Sequence, residues 1–413
     1  MMILKEARVY MFKRTVFSLI KKRIQEPRRL IQIVSGPRQI GKTTTVRQAL
    51  QECSCAFAYH LIEGGNRYRN DFISSAWNEA RLKIKSEKLS EFILVFDEIQ
   101  NVPQWSSFIK KEWDADSFDG VNIKVFLLGS SRVLLLKGLA ESLMGRFEII
   151  RMSHWSYLEM KNAFNFSVED FVFFGGYPLF ASLMRDNFVM SAEDKERNAA
   201  FLVDAIINAT VEKDIIIDTP IAKPALLRRL VDLACNYSGE IISLNKLLGC
   251  LQEKGNTSTL ANYLDLLEES GLISALPKFS MDRARLRASP PKLQVWNNAL
   301  KTNFLQLSYD SVQKDKALYG RIFESAIGAF LVSASFTGRF EVFYWKEGDL
   351  EVDYILKKGD RIVAIEVKSN FEGFSKELNA FNEKFKPYRS FIVGPAAMKP
   401  EEFFSIDPIM LFD

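Results

Sequence analysis

Residues 31–43, Ile-Gln-Ile-Val-Ser-Gly-Pro-Arg-Gln-Ile-Gly-Lys-Thr, constrain the fold more than any other stretch. The opening apolar run reads as a short strand buried on both faces. It feeds Gly36-Pro37-Arg38-Gln39-Ile40-Gly41-Lys42-Thr43, a complete G-x-x-x-x-G-K-[ST] match. The glycines allow the main chain to wrap a phosphate with its N–H groups. Lys42 would reach the β- and γ-phosphates, Thr43 would ligate magnesium, and an amphipathic helix over Thr44–Gln51 would turn its positive end to the anion. Gly36 to Thr44 are therefore the expected nucleotide-binding residues, with ATP and Mg2+ as the expected ligands.

A second element fits the first. Phe92-Ile-Leu-Val-Phe-Asp97-Glu98 is an apolar strand ending in two carboxylates. Emerging beside the loop, it would set Asp97 on the magnesium through water and Glu98 on the attacking water as general base. A third run ends at Leu128-Gly129-Ser130-Ser131-Arg132, where Ser130 or Ser131 would sense the γ-phosphate or simply form a turn. Arg146 precedes the next strand. It reads either as a cation for transition-state charge, in cis or from a neighbouring subunit, or as a plain surface residue. The trans case would require an oligomer.

These motifs sit in an alternating pattern. Strands are expected at Leu30–Ser35, Ala56–Leu61, Phe92–Phe96, Ile123–Leu128 and Phe147–Met152, which implies an α/β parallel sheet over residues 1–155. From 156 to 230 the periodicity is helical, broken at Gly175-Gly176-Tyr177-Pro178. Residues 231–290 read helix, turn, helix and a short strand pair, with Gly271 closing the second helix. From 291 to 413 come a helix (Leu318–Ala334), strands at Glu341–Trp345, Glu351–Leu356 and Ile362–Val367, a helix (Ser375–Lys386) and a last strand (Arg389–Val393).

Composition narrows the class without naming it. At 413 residues the chain exceeds one ordinary core. A net charge of +4 tolerates a polyanion but does not require one. The cysteines (Cys53, Cys55, Cys235, Cys250) have no zinc spacing, and His60 and His154 are the sole histidines. No secretory signal is read at the N-terminus, and the apolar region Val125–Leu139 is too interrupted to span a bilayer. A cytoplasmic chain with no membrane partner is the expectation.

Gly-Pro-Arg-Gln-Ile-Gly-Lys-Thr, Phe-Asp-Glu-Ile-Gln, Leu-Gly-Ser-Ser, Ser-Leu-Met-Gly-Arg and the Gly-Gly-Tyr-Pro turn, in this order, resemble the prokaryotic AAA-type P-loop ATPases that carry a C-terminal domain of unknown function. The resemblance implies an ATPase core (1–155), a helical lid (156–230), a winged-helix-like domain (231–290) and a restriction-endonuclease-like α/β domain (291–413). It also implies Ser130 as the sensor and Arg146 as the arginine finger.

The C-terminal half adds two constellations. Arg283, Arg285, Arg287 and Lys292 cluster on the expected wing, where they would meet DNA phosphates. Asp265, Glu268 and Glu269 on the adjacent helix oppose that contact, so internal packing is the competing reading. Further on, Glu324 on a helix, Asp353 in a strand and Glu366-Val-Lys368 in the next strand would gather three carboxylates and a lysine. That set can hold divalent ions for phosphodiester hydrolysis, and it resembles the Asp…Glu-x-Lys motif of restriction-endonuclease-like folds. The bland alternative joins Glu366 and Lys368 in a salt-bridge cluster with Glu351 or Asp353. Function thus reads as ATP hydrolysis coupled to a DNA-directed half. The alternative is a nucleotide-gated switch for a protein partner with a silent nuclease-like domain.

Overall fold

Five apolar runs in the first part of the chain form strands β1 (Ile31–Ser35), β2 (Ala56–Leu61), β3 (Phe92–Asp97), β4 (Ile123–Gly129) and β5 (Phe147–Arg151). Each lies within one residue of the bounds that periodicity sets. The computed structural model describes residues 12–62, 71–129, 142–178, 203–216, 221–251, 256–281, 289–370 and 375–413. The chain divides into two units, Met1–Met152 with Lys213–Asp218, and Ser153–Glu212 with Thr219–Asp413.

In the first unit the strand order is β2-β3-β4-β1-β5, and every pairing is parallel. Because strand side chains alternate, each strand feeds two cores. Ile31, Ile33, Leu94, Phe96 and Leu127 meet Trp77, Trp105 and Trp113 from helices α3 (Phe72–Glu87) and α4 (Trp105–Asp119). Val34, Ile93, Val95, Phe126 and Leu128 meet Phe17, Ile20, Val46 and Leu50 from α1 (Phe17–Gln25) and α2 (Lys42–Gln51). Each such side chain contributes roughly 1.5–3 kcal/mol by leaving water, so the sheet is a rigid platform for the loops at its carboxyl end.

In the second unit, α5 (Tyr157–Phe164) and α6 (Val168–Phe174) each begin with a serine capping box, Ser156 with Glu159 and Ser167 with Asp170. Val203–Ile216 is π-helical, its residues up to Glu212 belonging to this unit and those from Lys213 to the first. Then follow α7 (Pro224–Asn236), α8 (Leu244–Leu251), α9 (Thr257–Glu269) and the antiparallel pair β6 (Ile273–Leu276) and β7 (Lys292–Val295). Gly271, just past α9, has φ +75°, as its closing role requires.

Helices α10 (Asn298–Phe304), α11 (Tyr309–Lys314) and α12 (Lys316–Ser335) lead into β8 (Glu341–Glu347), β9 (Leu350–Lys358), β10 (Arg361–Val367), α13 (Lys376–Phe385) and β11 (Arg389–Val393). This sheet runs β11-β10-β9-β8, with β10–β11 parallel and the other pairs antiparallel. Phe279, Trp345, Ile355 and Phe381 fill its core. Helix α12 has 20 residues and a stretch of 18 with mean hydropathy 1.2, enough by length and composition to cross a membrane; Ile322, Phe323, Ile327 and Leu331 on it are buried within the protein.

Candidate functional site

The phosphate loop leaves β1 through a contact that tolerates no side chain. A Cβ on Gly36 would lie 2.1 Å from the carbonyl oxygen of Met152, because Met152 N–H donates to Ser35 O at 2.8 Å and draws the two strand ends together. Pro37 and Ile40 are buried, Arg38 is half-buried and Gln39 is exposed. Gln39 takes φ +62°, and Gly41, the residue before α2, takes φ +89°. These left-handed turns wrap the chain into the loop. Buried Arg14 braces it, donating to Ile40 O at 3.1 Å.

Lys42 is buried, and its ammonium donates to Gly36 O at 2.9 Å and Pro37 O at 2.7 Å. Thr43 Oγ1 donates to Asp97 Oδ2 at 2.6 Å. Thr44 is half-buried in the first turn of α2. Asp97 thus reaches the loop, as expected of a strand emerging beside it, although β3 is not the strand paired with β1. Strand β4 lies between them, with Gly129 opposite Ser35 and Leu128 opposite Asp97. Gly129 therefore ends between the loop and the acidic strand. Ser130, Ser131 and Arg132, which follow it, lie outside the described residues.

Tyr59 on β2 also donates to Asp97 Oδ2, at 2.5 Å. Burial, then the Asp97 charge, push the Tyr59 hydroxyl well above its ordinary range and keep it a donor. Arg47 from α2 stacks on its ring at 4.5 Å. Asp97 Oδ1, by contrast, is buried with no hydrogen-bond partner among the described residues. An orphaned carboxylate oxygen beside the Thr43 hydroxyl is the donor set a hydrated magnesium ion takes, so these residues fit that ion.

Glu98 adopts φ +57°, ψ +44°, a left-handed conformation that costs about 1–3 kcal/mol for a non-glycine residue and gathers at functional sites. Its Oε2 accepts from Gln100 Nε2. Tyr59 and Arg14 belong to no sequence motif, and Gln100, though it closes the Phe-Asp-Glu-Ile-Gln run, has no expected role there. Tyr59 reads in the sequence as one more residue of an apolar strand, and only its alternation hints at which face it serves.

Arg146 is not brought to the loop. Its carbonyl accepts from Ile31 N at the start of β1, whereas the loop leaves β1 after Ser35, roughly 13 Å along the strand. Its guanidinium grips Asp114 in a forked pair, Nε to Oδ1 at 2.7 Å and Nη2 to Oδ2 at 3.0 Å. A finger acting on its own chain's loop is thereby corrected: the residue lies at the amino edge of the sheet, and the loop at the carboxyl edge.

In the second unit the expected carboxylate set is rearranged around a lysine. Lys292 Nζ lies 2.6 Å from Glu324 Oε1 and 3.7 Å from both Glu351 Oε1 and Asp353 Oδ1. Its side chain is wholly buried. Expected as a wing cation for DNA, Lys292 instead faces inward, since β7 is buried along its length. Arg283, Arg285 and Arg287 lie outside the described residues.

Glu366 pairs with Lys368 at 2.9 Å, and Asp353 Oδ2 accepts the Val367 N–H at 2.7 Å. Burial, with Glu324 and Glu366 nearby, pushes the Asp353 carboxyl well above its ordinary range, although Lys292 opposes this. Burial likewise raises Glu366. Burial acts against the Lys292 charge, yet Glu324, Tyr354, Asp353 and Glu351 together hold it well above the ordinary lysine range. Among the described residues, no group of three or more Asp, Glu, His or Cys is arranged to hold a metal. With the Lys292 ammonium at their centre, Glu324, Glu351 and Asp353 do not fit a divalent ion.

The Gly-Gly-Tyr-Pro turn is a packing device. A Cβ on Gly175 would strike Asn297 Oδ1 at 1.9 Å, and one on Gly176 would strike Trp155 O at 2.2 Å. Tyr177 packs edge-on to His154 at 5.0 Å.

Comparison with known proteins places these sites in families. A profile described as AAA domain matches residues 28–161. Two profiles for domains of unknown function follow, DUF8612 over 165–311 and DUF4143 over 319–403. An uncharacterized Methanocaldococcus jannaschii protein is 25% identical over 86% of this chain and 79% of its own length. An uncharacterized Haemophilus influenzae protein is 22% identical over 93% of each. Among solved structures, a Thermotoga maritima RuvB variant aligns over 63% of this chain and 87% of that one, at 17% identity and a TM-score of 0.32. That score is too low to equate the two chains as wholes. With a parallel sheet built around a complete phosphate loop, residues 28–161 form an AAA-type P-loop domain, and two domains of unknown function follow it along the chain.

Proposed function

We propose that the protein binds ATP and hydrolyses it with magnesium, and that nucleotide state governs its C-terminal half. The observation that carries this reading is Thr43 Oγ1 on Asp97 Oδ2 at 2.6 Å, with Asp97 Oδ1 buried and unpartnered among the described residues. Lys42 would hold the β- and γ-phosphates, and Thr43 and Asp97 would hold the ion. Magnesium, when bound, supplies charge neutralisation to the phosphate oxygens. Glu98 would orient and deprotonate the attacking water. Steady-state ATP turnover in the wild type and Lys42→Ala tests this: turnover in the first and background in the second is expected. Equal background turnover in both would remove the enzyme claim.

For the C-terminal half, the helix pair α8 and α9 with the β6–β7 hairpin supports a winged-helix-like reading, and the four-stranded mixed sheet flanked by α12 and α13 supports a restriction-endonuclease-like one. Two uses follow: action on DNA, or a nucleotide-gated contact with a protein partner. The inward position of Lys292 favours the second, because it withdraws one wing cation from DNA and fills the carboxylate cluster. Binding of duplex DNA at low and high salt separates the two, since phosphate contacts weaken steeply with salt. Tight, salt-sensitive binding would restore the DNA reading.

A further inference from the structure

We propose that Lys292 is a built-in cation that takes the place of a divalent ion in the carboxylate cluster of the C-terminal unit, leaving that cluster independent of metal. The inference rests on the second unit alone, so its failure leaves the ATPase reading intact.

The cluster draws on three elements. Glu324 comes from α12, Glu351 and Asp353 come from β9, and Lys292 opens β7. Around Lys292 Nζ stand Glu324 Oε1 at 2.6 Å, Glu351 Oε1 and Asp353 Oδ1 at 3.7 Å, and the Asp353 carbonyl at 3.4 Å. Carboxylate oxygens with a main-chain carbonyl are the donor set that hard divalent cations take. Here that set surrounds an ammonium. The Tyr354 ring supplies one wall, its centre 4.8 Å from Nζ.

Two neighbouring acids each give one oxygen to another lysine, while Glu366 Oε2 is buried with no partner among the described residues. Lys346 takes the second oxygen of Glu351 at 2.9 Å. Lys368, the residue that the Asp…Glu-x-Lys pattern would assign to a water, holds Glu366 at 2.9 Å. The Tyr354 hydroxyl donates to the main-chain carbonyl of Glu324 at 2.9 Å and so fixes the helix that presents Glu324.

A lysine with no exposed side-chain surface is costly to charge unless opposite charges surround it closely. The converse holds for the acids. Removing the ammonium leaves Glu324 and Asp353 without their shared counter-charge and Glu351 with Lys346 alone, and that repulsion is what a divalent ion relieves.

Mn2+ binding to the full-length chain, counted by electron paramagnetic resonance without nucleotide and in an Asp97→Asn background that silences the phosphate-loop site, tests the proposal. With Lys292 present, no Mn2+ is expected to bind at low-millimolar concentration. With Lys292→Ala, bound Mn2+ is expected to appear, to vanish again when Asp353→Asn is added, and to raise the unfolding temperature of the Lys292→Ala chain alone.

Two results would overturn the proposal. One is Mn2+ binding to the Lys292 chain that is lost on Glu324→Gln or Asp353→Asn. The other is a Lys292→Ala chain that neither binds nor is stabilised by Mn2+. Should Lys292→Ala fold poorly by itself, Lys292→Gln, whose amide still donates to the acids, serves as the folded comparison, and the Lys292 arm decides independently.

Discussion

The hydroxyl of Thr43 donates to Asp97 Oδ2 at 2.6 Å, joining the end of the phosphate loop to a strand 54 residues on. Tyr59 donates to the same oxygen, so both hydroxyls fix the carboxylate and leave Oδ1 as its open acceptor. Tyr59→Phe removes one of these two restraints. A hydrogen bond to a carboxylate contributes about 1.5–3 kcal/mol, part of which the remaining Thr43 bond would retain. The Mg2+ concentration giving half-maximal ATP turnover is expected to rise several-fold, with ATP affinity unchanged. An unaltered Mg2+ dependence would show that Tyr59 does not position Asp97.

Gly36→Ala tests the close approach of the two strand ends. A methyl group 2.1 Å from the Met152 carbonyl must move main chain rather than a flexible side chain. Overpacking of this kind costs about 1–3 kcal/mol. Urea unfolding is expected to register that loss, and nucleotide titration to weaken in parallel because the loop itself is displaced. Wild-type values in both would mean that the strand ends can part freely.

Arg146 lies at the amino edge of the sheet and is held by Asp114. Arg146→Ala is therefore expected to leave ATP turnover unchanged in dilute solution, where each chain acts alone. A loss confined to higher protein concentrations would assign the residue to a neighbouring subunit. A loss at every dilution would contradict its position.

Lys301 gives the account a pH signature. Its ammonium is buried and donates to Ser238 O; burial lowers its pKa to about 8, against the opposing pull of Glu324 and Glu240. Below about 8 the folded and unfolded chains both carry this charge, and its burial is a constant cost. Between about 8 and the unfolded lysine range near 10.4 the unfolded chain binds more protons, so stability rises with pH. The rise attributable to Lys301 is on the order of 3 kcal/mol. Urea unfolding of wild type and Lys301→Met across this range should show the wild type gaining on the variant. Parallel curves would contradict a shifted lysine.

The sheet of the first unit was legible because its central strands β1, β3 and β4 are buried on both faces, which leaves largely apolar runs bounded by polar turns. The phosphate loop was legible because its chemistry is local: Gly36 and Gly41 are demanded by a close approach and a left-handed turn within a few residues. Tyr59 and Lys292 were not. Each acts on a partner brought near by strand pairing, and register cannot be read from an isolated strand. Lys292 is the sharper case, since a cation among arginines on a hairpin reads as exposed. It faces inward because β7 is buried along its length.

Single-turnover ATP hydrolysis by wild type and Glu98→Gln, at saturating Mg2+, tests the central claim most directly. The substitution keeps the shape of the left-handed residue before Ile99 and removes its basicity. The account predicts that the variant binds ATP as tightly as the wild type but cleaves it at least about a hundredfold more slowly. Cleavage at the wild-type rate, or loss of binding in the variant, would contradict it.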